Sequence, residues 1–189
     1  MLIFIAVQGT AWPTHLLQIC CEHLRGVALP NTSTVASLTA MNRLVGKAVE
    51  LLLCLSTTEN GRSLIRTTLA SFATELLMSV MTSTAYSCTI RHTAGQCLFQ
   101  LIQSMSDFHH LLSHDSLGRT VAVLFESPEW EMRDTGIVLA RSLLLMQAST
   151  FQKFALSEHW LDRILLSVTE PESYVRVTAL ESICVCSVL

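Results

Sequence analysis

Ile90-Arg91-His92-Thr93-Ala94, Met132-Arg133-Asp134-Thr135-Gly136 and Val175-Arg176-Val177-Thr178-Ala179 share one pattern: an apolar residue, an arginine, a variable residue, a threonine and a small residue. The three arginines stand 42 and 43 residues apart, and the last two segments are preceded by Pro128-Glu129 and Pro171-Glu172. A fixed period of this length in helical sequence arises when helix pairs stack and each unit buries its apolar face against its neighbours. The spacing predicts an all-α chain of the HEAT or armadillo kind, a right-handed superhelix of about four helix pairs. Such arrays offer extended surfaces to partners more often than active sites.

Turn chemistry accounts for the motif. Ser127 is placed to cap a helix, Pro128 suits a first turn whose N–H has no intrahelical partner, and Glu129 complements the positive end of the dipole. Glu129 and Arg133, like Glu172 and Arg176, stand at i, i+4 with the acid first, which predicts two local pairs of about 0.2 to 0.5 kcal/mol each. The unit from Ser87 to Arg91 lacks the acid. The repeat positions Arg91, Arg133, Arg176, Pro128, Pro171, Glu129 and Glu172 therefore read as structural, a ladder tying each helix to its own turn or to the adjacent repeat. The Thr and small residue at 93/94, 135/136 and 178/179 allow a paired helix to approach closely.

With the repeat as a ruler, helices are expected over Pro13–Leu29, Leu38–Leu55, Leu69–Met81, Cys88–Ser104, Leu117–Phe125, Glu129–Gln147, Trp160–Val168 and from Ser173 onward, with short helices at Phe108–Leu112 and Phe151–Leu156. The second helix presents Leu44, Ala48, Leu51, Leu52 and Leu55 on one face and stops near Asn60-Gly61, a left-handed terminator. No glycine-rich or charged linker interrupts the series, so residues 1–189 read as one repeat domain.

Half of the 189 residues are hydrophobic, aromatics are 6% and charged residues 14%, with a mean hydropathy of +0.47. The longest apolar runs, Met1 to Val7 and Leu51 to Leu55, fall far short of the roughly 18 to 20 residues that cross a bilayer. The hydropathy instead suggests part of a longer solenoid, whose flanks are hidden by further repeats; the chain stops at Val188-Leu189 within an apolar helical pattern. Met1 to Val7 lacks the basic flank and cleavage site of a signal peptide. The seven cysteines, Cys20, Cys21, Cys54, Cys88, Cys97, Cys184 and Cys186, are odd in number, contain no Cys-x-x-Cys pair and read as reduced core residues. A net charge of −3 and twelve scattered Lys and Arg leave no basic stripe for a phosphate backbone, so no direct nucleic-acid binding is expected.

Candidate chemistry is sparse. His109, His110, His114 and Asp115 form the densest set of metal-ligand types, but a structural zinc site recruits a further ligand pair and none stands at a suitable spacing. Cys20-Cys21-Glu22-His23 invites a thiol reading, yet adjacent cysteines on a helix point about 100° apart and at least one belongs to a core. G-x-S-x-G, phosphate-binding glycine loops and H-E-x-x-H are all missing from the sequence. The chain is therefore expected to be catalytically inert and free of cofactors and metals. The competing enzyme reading is a helical domain with a pocket around His109, His110 and Cys97. Trp12, Trp130 and Trp160 are the strongest partner anchors by type, although packing at helix starts is the simpler role for them.

Ser127-Pro128-Glu129-Trp130-Glu131-Met132-Arg133-Asp134 and Glu170-Pro171-Glu172-Ser173-Tyr174-Val175-Arg176 resemble the HEAT repeats of the BRAT family, the ATM activators associated with the breast-cancer susceptibility protein. The likeness is clearest from Ser127 to Ala179. It implies a non-enzymatic scaffold of nucleus and cytoplasm that acts in DNA-damage signalling, with damage-signalling kinases and the Integrator RNA-endonuclease subunits as partners. In that family an extreme C-terminal tail engages the endonuclease, and no residue up to Leu189 is matched to it. Other HEAT or armadillo scaffolds, such as a transport receptor or a phosphatase scaffold, are the alternatives within the same class, but a sparsely charged chain lacks the ridges expected of them.

Overall fold

A computed structural model of the chain describes residues 35–104, 114–146 and 149–186. These fold into helices α1 (Val35–Ser56), α2 (Glu59–Leu64), α3 (Ala70–Thr82), α4 (Cys88–Ser104), α5 (His114–Phe125), α6 (Trp130–Leu145), α7 (Ser149–Ser157), α8 (Trp160–Leu166) and α9 (Ser173–Cys186). A π-helical segment, Ile65–Leu69, leads into α3, and a 3₁₀ turn, Ser167–Thr169, follows α8. The described residues contain no strand. The expected helices at Pro13–Leu29 and Phe108–Leu112 lie outside the described residues.

In α1 the buried stripe is Val45, Val49, Leu52 and Leu55, spaced at three and four residues as one helical face requires. Of the expected face, Leu52 and Leu55 are buried and Ala48 and Leu51 pack half-buried against the core, while Leu44 is 45% exposed and Val45 and Val49 take the buried positions. Asn60-Gly61 does not end this helix. Thr58, in extended backbone, accepts a hydrogen bond from the Gly61 N–H at 3.1 Å and so caps a new helix, α2. Gly61 is a glycine for want of space, since a Cβ there would stand 2.1 Å from the Leu55 carbonyl oxygen. An Asn-Gly pair reads as a terminator only when glycine adopts a left-handed conformation; here a close approach uses the same residue within a helix.

From α3 onward the chain alternates between two roles. α3 packs against α4, α5 against α6, and α8 with its 3₁₀ turn against α9, while α4 also packs against α1 and α6, and α6 against α4 and α9. The second helix of each pair thus forms a row with its counterparts in order α1, α4, α6, α9, and α3 and α5 make contact on the other side. One continuous core runs through Leu77, Met81, Leu98, Leu101, Leu124, Met132, Ile137 and Trp160. α7 is an extra helix wedged against α5, α6 and α8. His159, between α7 and α8, holds φ at 54°, the left-handed conformation that reverses the chain.

Helix entry at α6 differs from the expected arrangement. The N-cap is Glu129 rather than Ser127, and Pro128 stands before the helix rather than in its first turn. Ser127 Oγ accepts from the Glu129 N–H at 3.3 Å, a hydroxyl turn that presents the chain to the helix. The Glu129 side chain makes no cap, because it is engaged elsewhere.

Candidate protein-interaction surface

Two of the three motif arginines, Arg91 and Arg133, join consecutive helix pairs in a way that the local spacing misassigns. Arg133 donates from Nε and Nη2 to the two carboxylate oxygens of Glu170 at 2.9 and 2.8 Å, a bidentate pair with the next helix pair's turn. Its Nη1 donates to the Ser127 and Pro128 carbonyls of its own turn at 2.9 and 3.0 Å. Arg91 repeats the device: it donates from Nε to the Met81 carbonyl at 3.0 Å and pairs through Nη1 with Glu129. Arg176 donates from Nη1 to the Glu170 and Pro171 carbonyls at 2.7 and 2.6 Å, and among the described residues no carboxylate pairs with it. Arg133 and Arg176 thus clamp the two carbonyls of their own turn, Arg91 holds one carbonyl in the last turn of α3, and Arg91 and Arg133 reach a glutamate 38 and 37 residues further on. The expected i, i+4 pairs are not formed. Glu129 serves Arg91, Arg133 takes Glu170, and Glu172 is exposed and meets no arginine among the described residues. The forward pairs win because the guanidinium stays rigid against its turn and is largely shielded from water, whereas an i, i+4 pair on the helix surface gains only a few tenths of a kcal/mol.

A polar track follows beside the ladder. The Thr135 hydroxyl donates to the Glu131 carbonyl at 2.7 Å, so His92 Nδ1, 3.0 Å away, donates to Thr135. His92 Nε2 then accepts from the Gln96 amide at 3.0 Å. Asp134, the next residue along α6, has one carboxylate oxygen buried without a hydrogen bond. Burial raises its pKa from the usual 3.8, opposed by Thr178, His92 and Arg141. Arg141 in turn lies 3.5 Å from Glu181 of α9.

Small residues set the spacing. A Cβ on Gly95 of α4 would fall 2.2 Å from Thr135 Cγ2 of α6, and one on Gly136 would lie 3.1 Å from Leu124 Cβ of α5. Ala94 and Ala179 are fully buried. Gly136, a small position of the motif, thus sits at a close approach within its pair, and Gly95, one residue beyond the motif of α4, at one between pairs.

The remaining candidates scatter. Pro128 and Pro171 are exposed turn residues whose carbonyls accept from Arg133 and Arg176. Trp160 is fully buried, and Trp130 stacks on Tyr174 with centroids 5.7 Å apart, so neither offers a free anchor; Trp12 lies outside the described residues. His109 and His110 also lie outside them, and so do Cys20 and Cys21. Asp115 is exposed in the first turn of α5, which begins at His114, three residues earlier than expected. Among the described residues no group of three metal-ligating side chains assembles, and no single helix is long and apolar enough to cross a membrane. Burial pushes the Cys97 thiol up to about 12, and burial with the neighbouring Glu131 and Glu129 pushes Cys88 up to about 11, which leaves both without the thiolate that nucleophilic chemistry requires. Cys184 departs from the expectation of core cysteines, being exposed on α9.

What stands open is the far side of the last pair. Leu161, Leu165 and Leu166 of α8 and Val177 and Leu180 of α9 are 43 to 66% exposed, an apolar face of the kind that marks interaction surfaces. Comparison with known proteins finds no family model and no curated protein that matches the chain.

Proposed function

We propose that the chain is a non-enzymatic protein-binding scaffold, an α-solenoid of the HEAT or armadillo class wound as a right-handed superhelix. The observation that carries this reading is the forward arginine clamp: Arg91 to Glu129 and Arg133 to Glu170 join consecutive helix pairs at one repeat length, as a stack of equivalent units requires. Stacking creates a long surface with no need of a pocket, and the raised thiol pKa values of Cys88 and Cys97 give no support to a nucleophile at either position.

Within that class the reading follows the resemblance of the segments from Ser127 and from Glu170 to the BRAT family. On it, the protein works in nucleus and cytoplasm, binds damage-signalling kinases or the Integrator endonuclease subunits, and makes no direct contact with nucleic acid. Affinity purification of the full-length protein from cell extract with mass spectrometry tests it. Recovery of the endonuclease pair or of damage-signalling kinases is the expected result. Transport receptors or phosphatase subunits in their place would move the protein to another scaffold family, and the lack of any stable partner would remove the scaffold reading.

A further inference from the structure

The motif places Arg176, Val177 and Leu180 of α9 where α6 has Arg133, Asp134 and Ile137 and where α4 has Arg91, His92 and Gly95. In the two earlier helices this edge is covered. Arg91 pairs with Glu129, and the positions beside it meet Thr135, with His92 hydrogen-bonded to its hydroxyl and Gly95 against its methyl. Arg133 grips Glu170, while Asp134 and Arg141 face Thr178 and Glu181 of α9; Ile137, on the same helical face between them, is fully buried. On α9 the same positions are open, with Val177 54% and Leu180 50% exposed.

Arg176 is already posed for the missing contact. Its Nη1 holds the Glu170 and Pro171 carbonyls as Arg133 holds those of Ser127 and Pro128. The edge that Arg133 turns to a carboxylate, Nε and Nη2, has no acid at Arg176 among the described residues. A guanidinium fixed by two carbonyls is a preorganised fork for one carboxylate, at the rim of an apolar strip that continues the stacking interface.

We infer that the α8–α9 face receives a further helical hairpin that carries a carboxylate in its turn, with the acid on Arg176 and an apolar stripe over Val177 and Leu180. This inference rests on the scaffold reading and names the surface and the chemistry of one partner. The apolar strip supplies the contact area and the charge pair its register.

The test uses the protein together with a fluorescent peptide spanning residues 157–186, which contains such a hairpin with Glu170 in its turn. Saturable binding is expected, weakened at least about tenfold by Glu170→Gln in the peptide, the scale of one charge-assisted contact. Arg176→Glu in the protein should abolish binding, and Glu170→Arg in the peptide should restore it. Exchange of the peptide into the site already filled on α6 would ignore Arg176, so binding unchanged by Arg176→Glu overturns the inference, as does the absence of saturable binding. Leu180→Asp, on an exposed side chain remote from the turn, should weaken binding without lowering the thermal midpoint and guards against misfolding of the arginine variant. Concentration-dependent dimerisation in sedimentation, lost with Leu180→Asp, would show a second copy as the occupant and overturn it too. Capture of cellular partners that is unaltered by Arg176→Glu would overturn it and leave the scaffold reading standing.

Discussion

Arg91 is the most deeply committed of the three arginines, with a side chain only 5% exposed, its carbonyl partner supplied by α3 and its carboxylate by the N-cap of α6. Removing Arg91 leaves the Met81 carbonyl and the 37% exposed Glu129 without their charge-assisted partner and costs about 1.5 to 3 kcal/mol. Arg91→Ala should therefore lower the thermal midpoint steeply, Arg133→Ala less, and Arg176→Ala by only about 1 kcal/mol, since it loses carbonyl contacts alone. Thermal unfolding of the three variants checks the order, and equal losses would contradict it. Asp134 gives a pH test. Its folded pKa is raised by burial, so the stability it contributes is fully present below the unfolded value near 3.8 and is lost as pH rises through the folded value. Asp134→Asn should flatten that decline and leave the protein at least as stable at neutral pH. A variant clearly less stable at neutral pH would mean that Thr178, His92 and Arg141 outweigh burial.

Among the helices, spacing is decided by single Cβ atoms. An exposed helical Gly→Ala change gains about 1 kcal/mol in propensity. At Gly46, where a Cβ would meet only the tip of Ile90 at 3.3 Å, that gain should survive as a neutral or stabilising change. At Gly95 the sign should reverse: the new methyl meets Thr135 Cγ2 at 2.2 Å, Thr135 is held by two hydrogen bonds, and overpacking costs about 1 to 3 kcal/mol. Denaturant midpoints of the two variants moving the same way would contradict this. Helix boundaries were legible where apolar periodicity and turn residues agree: the sequence places Cys88–Ser104 at its observed limits, and the starts of α8 and α9 likewise. They were not legible where a backbone contact overrides a local signal, as at Asn60-Gly61, which enters α2, or across Ile65–Leu69, where a π-helical segment replaces a clean helix start. The clamp was half visible. Its arginines and acids are in the motif, but i, i+4 proximity suggests the wrong partners. The clue was Arg91, which keeps the motif without an acid of its own and has Glu129 at 38 residues, as Arg133 has Glu170 at 37.

For the molecule as a whole, helix pairs that touch mainly their neighbours give a stability that is a sum of unit and interface terms. Each clamp should then act between two adjacent pairs, not within one. A double-mutant cycle on thermodynamic stability separates the two cases, with Arg133→Ala combined with Glu170→Gln on the one hand and with Glu129→Gln on the other. The clamp predicts a coupling of about 1 kcal/mol or more between Arg133 and Glu170, and none beyond error between Arg133 and Glu129. Coupling of Arg133 to Glu129 with none to Glu170 would contradict the stacked arrangement and return the arginines to the surface of their own helices.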